Sequence, residues 1–142
     1  HWDGERWTQL SAGDGSRINH FYDVSGCTPD DVWAGGAYGH LAHWDGSEWT
    51  ELDFDVPTIN AQIVGVQCSE GTLRVAEEEG TIYTRAGDTW SSDETGARYV
   101  GAFDGNADDT WTVGRGFGGD PSDRESALIW HWDGTTWTES NG

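Results

Sequence analysis

The chain has 142 residues, 26 acidic and 7 basic, for a formal net charge of −19. That length suits one domain with a real hydrophobic core. The charge argues against nucleic acid and anionic membranes as partners, because the long-range field repels phosphate. No apolar run approaches the roughly 18–20 residues of a membrane-spanning helix, and no signal-peptide pattern is present.

All seven basic residues are Arg, Met is absent, and there are ten Trp and 21 Gly. A chain without Met is expected to be a processed product or part of something longer. The aromatic content argues against disorder despite the charge.

One string organises the chain. HWDGERWT at 1–8 returns as HWDGSEWT at 43–50 and HWDGTTWT at 131–138, with a weaker copy, TRAGDTWS, at 84–91. The last Trp of each copy, Trp7, Trp49, Trp90 and Trp137, recurs at spacings of 42, 41 and 47. A second string precedes the last three copies: DDVWAGG at 30–36, GTLRVAE at 71–77 and DDTWTVG at 108–114.

In chain order, residues 1–10 predict a lone hairpin, the outer half of a unit. Residues 11–52 predict a four-stranded unit with strands at Ile18–Val24, Val32–Gly35, Leu41–Trp44 and Glu48–Leu52. Residues 53–93 form a degenerate copy. Residues 94–142 form a third copy with an inserted loop at 115–127, rich in Gly, Pro and Asp. The Asp-Gly pairs mark the hairpins: Gly supplies positive φ and Asp caps the turn. Trp44 and Trp49 are then expected to face each other across one hairpin, and Trp132 and Trp137 across another.

Four short strands per unit at a period of about 40–45 residues predict an all-β fold of β-propeller blades, about three and a half in number. The strings DVWAGG and HWDGSEWT resemble bacterial extracellular β-propeller repeats of the Trp-Asp-Gly hairpin type, related to Asp-box (BNR-like) repeats. The resemblance covers nearly the whole chain. It departs from a strict Asp-box in that Asp45 and Asp133 lie four residues before Trp49 and Trp137, not five. It implies fold more than function. A ring usually needs 4–8 blades, so the chain is expected to be an incomplete propeller, completed by other chains or by further parts of a precursor.

Cys27 and Cys68 each lie six residues before an equivalent second-strand position, Trp33 and Arg74. An interblade disulfide is predicted, which fits an extracellular or cell-surface location. His1, His43 and His131 share one repeat position, which indicates a structural hydrogen bond. His40 and His43 are expected on opposite faces of a strand and predict no metal pair. Trp33 and Trp111 are expected to pack between blades.

The candidate ligand residues are Trp130, Trp132 and Trp44 as stacking platforms, with Asp120 and Asp123 in the inserted loop. That loop is also the place where Ca²⁺ could bind, and no other cofactor is expected. No Gly-x-Ser-x-Gly, phosphate-loop or dinucleotide pattern stands in a usable context, so no catalytic residue and no enzyme is predicted. The expected function is recognition of a glycan or another small polar ligand. The alternatives are a protein-interaction scaffold and a fragment of a glycosidase-like enzyme.

Overall fold

The computed structural model describes residues 1–12, 20–52, 62–116 and 126–140. It contains three four-stranded antiparallel sheets with neighbours in chain order. Blade 1 consists of β1 (Phe21–Thr28), β2 (Asp31–Gly36), β3 (Leu41–Trp44) and β4 (Trp49–Leu52). Blade 2 consists of β5 (Ile63–Ser69), β6 (Thr72–Glu77), β7 (Thr81–Ala86) and β8 (Thr89–Glu94). Blade 3 consists of β9 (Tyr99–Gly105), β10 (Thr110–Gly116), β11 (Ser126–Trp132) and β12 (Trp137–Glu139). These are the blades the repeat predicts. The N-terminal hairpin adds a bridge between Trp2 and Trp7.

The hairpin turns follow directly from their sequence. In each HWDG copy the Asp carboxylate accepts the N–H groups two and three residues on: Glu5 and Arg6 on Asp3, Ser47 and Glu48 on Asp45, Thr135 and Thr136 on Asp133. The following glycine takes a left-handed φ of 100° at Gly4, 95° at Gly46 and 90° at Gly134, where a Cβ would be strained. The strands then pair with Trp44 opposite Trp49 and Trp132 opposite Trp137. The ring centroids are 6.0 and 5.7 Å apart.

These turns carry a pH signature. Asp45 titrates at about 2 instead of 3.8, held down first by the Glu48 N–H and then by the hydroxyl and N–H of Ser47. Asp133 also lies at about 2, with the Thr135 hydroxyl the largest cause. A carboxylate whose folded pKa is depressed stabilises the fold above its unfolded value, near pH 4. That contribution disappears as pH falls toward about 2. The amide shifts of Ser47 and Glu48 are therefore expected to titrate with a midpoint near 2; a midpoint near 4 would contradict the turn geometry.

Two boundaries differ from expectation. The first strand does not end at Val24 but continues to Thr28, because Asp23, Ser25 and Cys27 all engage blade 2. Ile18 and Asn19 lie outside the described residues. β10 and β11 stay paired through Gly116 and Ser126, so the insertion expected at 115–127 begins and ends as strand.

The core lies between the blades. Trp33 and Leu41 of blade 1 pack with Ile63, Val66, Leu73, Val75 and Tyr83 of blade 2. On the other side of blade 2, Ala76 and Ile82 pack with Ala97, Val100, Leu128 and Trp130. Close approach at the first seam requires glycine at position 35: a Cβ there would sit 2.3 Å from the Ile63 Cγ2.

Candidate functional site

Each blade has a forward face toward the next blade and a rear face toward the one before. The seam between blades 1 and 2 shows how a forward face is built. Asp31 Oδ1 accepts the Trp33 Nε1–H at 2.8 Å and lies 2.9 Å from His43 Nε2. His43 stacks on Trp33 with centroids 4.2 Å apart. The guanidinium of Arg85 also lies over the Trp33 ring, 5.3 Å from its centroid. The shared histidine position thus has the hydrogen-bonding role expected of it.

Three further links hold this seam. β5 is an edge strand, and two of its N–H groups find partners on β1: Val66 N–H donates to Asp23 Oδ2 at 2.8 Å, and Cys68 N–H to Ser25 Oγ at 3.0 Å. Cys27 and Cys68 form the predicted disulfide, with Cα atoms 4.8 Å apart. Cys27 is the additional residue of a bulge between the Gly26–Val32 and Thr28–Asp31 pairs, whereas Cys68 pairs regularly with Leu73. Alternation along β1 places Cys27 on the same side as Asp23 and Ser25, toward blade 2. Asp31 lies beside the two sulfurs; these are bonded to each other and so offer no pair of thiolate ligands.

At the second seam the aromatic and cationic positions exchange. Arg74 stands where blade 1 has Trp33. Its guanidinium lies 5.0 Å from the Trp132 centroid and donates to Ala107 O at 2.7 Å, Asn106 O at 3.1 Å and Thr110 Oγ1 at 3.2 Å. Burial lowers its pKa, while Asp108 and Asp93 oppose the shift. The two arginines of the degenerate blade are therefore seam residues.

Blade 3 repeats the forward-face construction, and among the described residues no further blade packs against it. Trp111 stacks on His131 at 4.0 Å, and both bond Asp109 Oδ1, at 3.0 and 2.8 Å. Yet Trp111 is 44% exposed where Trp33 is 3%, and Ile129 is 43% exposed where Leu41 is 1%. Val113, in the place of Gly35, is exposed as well. The expectation that Trp111 packs between blades is thus corrected for the described residues: its ring stacks on His131 and stays exposed.

Of the predicted ligand residues, Trp130, Trp132 and Trp44 lie among the described residues. Trp130 is only 3% exposed and lies in the seam core with Leu128. Period-two alternation along β11 points these two at blade 2 and leaves Ile129 and His131 on the forward face. As a stacking platform Trp130 is therefore corrected to a core residue. Trp130→Ala is expected to cost about 3–5 kcal/mol in chemical denaturation, and a loss under about 1 kcal/mol would return it to the surface. Trp132 is half-buried between Arg74 and Trp137, with its Nε1–H on Ala107 O at 3.2 Å. Trp44 lines an apolar cleft between blade 1 and the N-terminal hairpin. Asp120 and Asp123 lie outside the described residues, as does the centre of the suggested Ca²⁺ loop. The forward face of blade 3 was not singled out from the sequence, although aligning Trp111 and Ile129 with Trp33 and Leu41 contains the signal.

Three four-stranded antiparallel blades joined through apolar seams define a β-propeller fold, incomplete in this chain. No family model matches the chain, and no curated protein matches it in sequence. Among solved structures it is similar to YCF48 bound to D1 peptide, a β-propeller protein, with a TM-score of 0.68 at 13% identity. The alignment covers 93% of this chain and 41% of that one. The chain therefore spans well under half the length of this neighbour. The likeness is one of fold. No helix among the described residues is long and apolar enough to cross a membrane.

Proposed function

We propose that this chain is a protein-binding propeller module whose open blade faces are covered by further protein, from other chains or from further parts of a precursor, and that it acts by binding and not by catalysis. The observation that carries the reading is the contrast between Trp33 and Trp111: the same side chain in the same hydrogen-bonded setting, buried in one blade and bare in the other. An apolar sheet face with a preorganised Trp–His–Asp group is a poor surface to leave in water and a good one to cover.

The closed seams also suggest what covers it. At each of them an arginine guanidinium lies over a tryptophan. A basic protein surface that offers an arginine to Trp111 would repeat that contact, and the net charge of −19 would accelerate its approach. The neighbour's bound D1 peptide supports protein as the class of partner. The interblade disulfide supports an oxidising, extracellular or cell-surface setting. The recurrent aspartates and histidines serve turns and seams, which supports binding over chemistry.

Sedimentation velocity tests the reading. Without its natural partner, and at a salt concentration high enough to screen the repulsion between copies of charge −19, the chain is expected to associate through this face and to sediment above 15.6 kDa, with Ile129→Asp returning it toward that mass. A folded wild-type chain that remains a 15.6 kDa monomer throughout would overturn it.

A further inference from the structure

The hairpin turns of blades 1 and 2 meet at one end of their seam. Asp30 comes from the β1–β2 turn, Asp45 from the β3–β4 turn, Gly71 from the β5–β6 turn and Gly87 from the β7–β8 turn. With Asp31, Cys68 and Arg85 they line a pocket of about 300 Å³. All of its lining residues belong to these two blades, so the pocket is built without either end of the chain.

The interblade disulfide borders this pocket. Cys68 is a lining residue, Cys27 is not, and both cysteines are partly exposed. A carboxylate oxygen of Asp31 and the two sulfurs all lie within 4.8 Å of one another. The Trp33 Nε1–H and the His43 ring hold that carboxylate in place. Three carboxylates therefore face one guanidinium, and Arg85 Nη2 already lies 3.6 Å from Asp88. Asp45, held by its turn, stays ionised down to about pH 2.

Charge so close to a disulfide bears on its chemistry. Exchange begins when a thiolate, an anion, attacks one of the sulfurs. Fixed carboxylates beside the bond repel it. An ammonium group on the same thiol reverses the sign, because it enters among those carboxylates. Trp33 and Leu73, both buried, also line the pocket, and apolar walls focus the field.

We propose that this pocket is a thiol-exchange site for low-molecular-weight aminothiols, which open the interblade bond at Cys68. The aminothiol's thiolate forms a new S–S bond to Cys68 Sγ. The Cys27–Cys68 bond breaks, its electron pair leaves on Cys27 Sγ, and that thiolate takes a proton from water. Cys68 then carries the aminothiol as a mixed disulfide, with the ammonium among Asp30, Asp31 and Asp45. Attack of the Cys27 thiolate on Cys68 Sγ reverses the step and expels the aminothiol, so no oxidant is needed. While the covalent tie is open, the blades stay joined through Asp23, Ser25 and the seam core. The site is independent of what covers blade 3.

The intact chain is treated under native conditions with cysteamine, mercaptoethanol or thioglycolate, at matched thiolate concentrations and low salt. Free thiols are then alkylated, and peptide mapping locates the mixed disulfide, which is expected on Cys68. The ratio of the cysteamine rate to the thioglycolate rate is expected to be at least about tenfold higher than in the urea-unfolded chain, with mercaptoethanol between them. Asp31→Asn keeps an acceptor for Trp33 and is expected to cut that ratio at least about threefold. Asp30→Asn, in the adjoining turn, is expected to lower it as well and serves if the Asp31 variant does not fold. Glu139→Gln, at the end of β12, removes the same charge from blade 3 and is expected to leave the ratio unchanged. Equal ratios in the folded and unfolded chain would overturn the proposal. So would a ratio that Glu139→Gln lowers as much as Asp31→Asn, or a mixed disulfide on Cys27. Rates equal for all three thiols and independent of their concentration would mean that the bond opens only in the unfolded chain, which overturns it too.

Discussion

Trp33→Ala is expected to destabilise the chain by about 3–5 kcal/mol, whereas Trp111→Ala, at the same place in the repeat, is expected to cost under about 1 kcal/mol. The two residues share their local chemistry: an indole N–H on an aspartate two residues back and an imidazole stacked on one side of the ring. They differ only in what lies opposite. Trp33 is enclosed by Leu73, Val75 and Tyr83, with Arg85 over its ring, so its removal opens a cavity between blades and leaves a guanidinium uncovered. Trp111 loses its histidine stack and little else. Urea denaturation of the two variants beside wild type measures the difference directly. Equal losses would mean that seam packing is not what gives Trp33 its value, and the interaction reading of blade 3 would lose its premise. Addition of a docking partner should raise the cost of Trp111→Ala toward that of Trp33→Ala.

Reduction of the Cys27–Cys68 disulfide, or its replacement by serine at both positions, is expected to lower stability by roughly 4 kcal/mol in the chain-entropy account. The bond closes a sequence separation of 41 residues and ties the edge strands β1 and β5 of neighbouring blades. Most of the effect arises in the unfolded state, where the link removes conformations that the reduced chain would explore. The remaining links, Asp23 to Val66 N–H and Ser25 to Cys68 N–H, stay in place, so the variant should fold but unfold at lower urea. Denaturation of oxidised and reduced protein tests this; coincident midpoints would show that blades 1 and 2 are held by packing alone.

The fold was legible at the level of the repeat. The hairpin strings located three blades and the N-terminal half unit, because Asp-Gly turns and facing Trp pairs act over a few residues and need no distant partner. The pairing of the two cysteines was also legible from their spacing. The bulge at Cys27 was not, because register depends on the neighbouring strand. The candidate ligand residues fared differently. Trp130 looked like a surface aromatic beside Trp132, but alternation along β11 turns it into the seam. Arg74 and Arg85 stand where blades 1 and 3 have Trp. They prove to be the cations that cover Trp132 and Trp33, contacts between blades that no single repeat unit contains.

From the amino-acid order alone come the four-stranded units and the capped Asp-Gly turns, since each arises from hydrogen bonds and pairings within one unit. Burial was decided elsewhere. Trp33 and Trp111, Leu41 and Ile129 are matched in local setting, and only the presence or absence of a neighbouring blade separates core from open surface. The reason is physical: apolar stabilisation depends on the area removed from water, and in a propeller that area lies between units. The strings that announce a blade are therefore silent about which of its faces is covered. Among the described residues, the forward face of blade 3 stays exposed at Trp111, Val113 and Ile129.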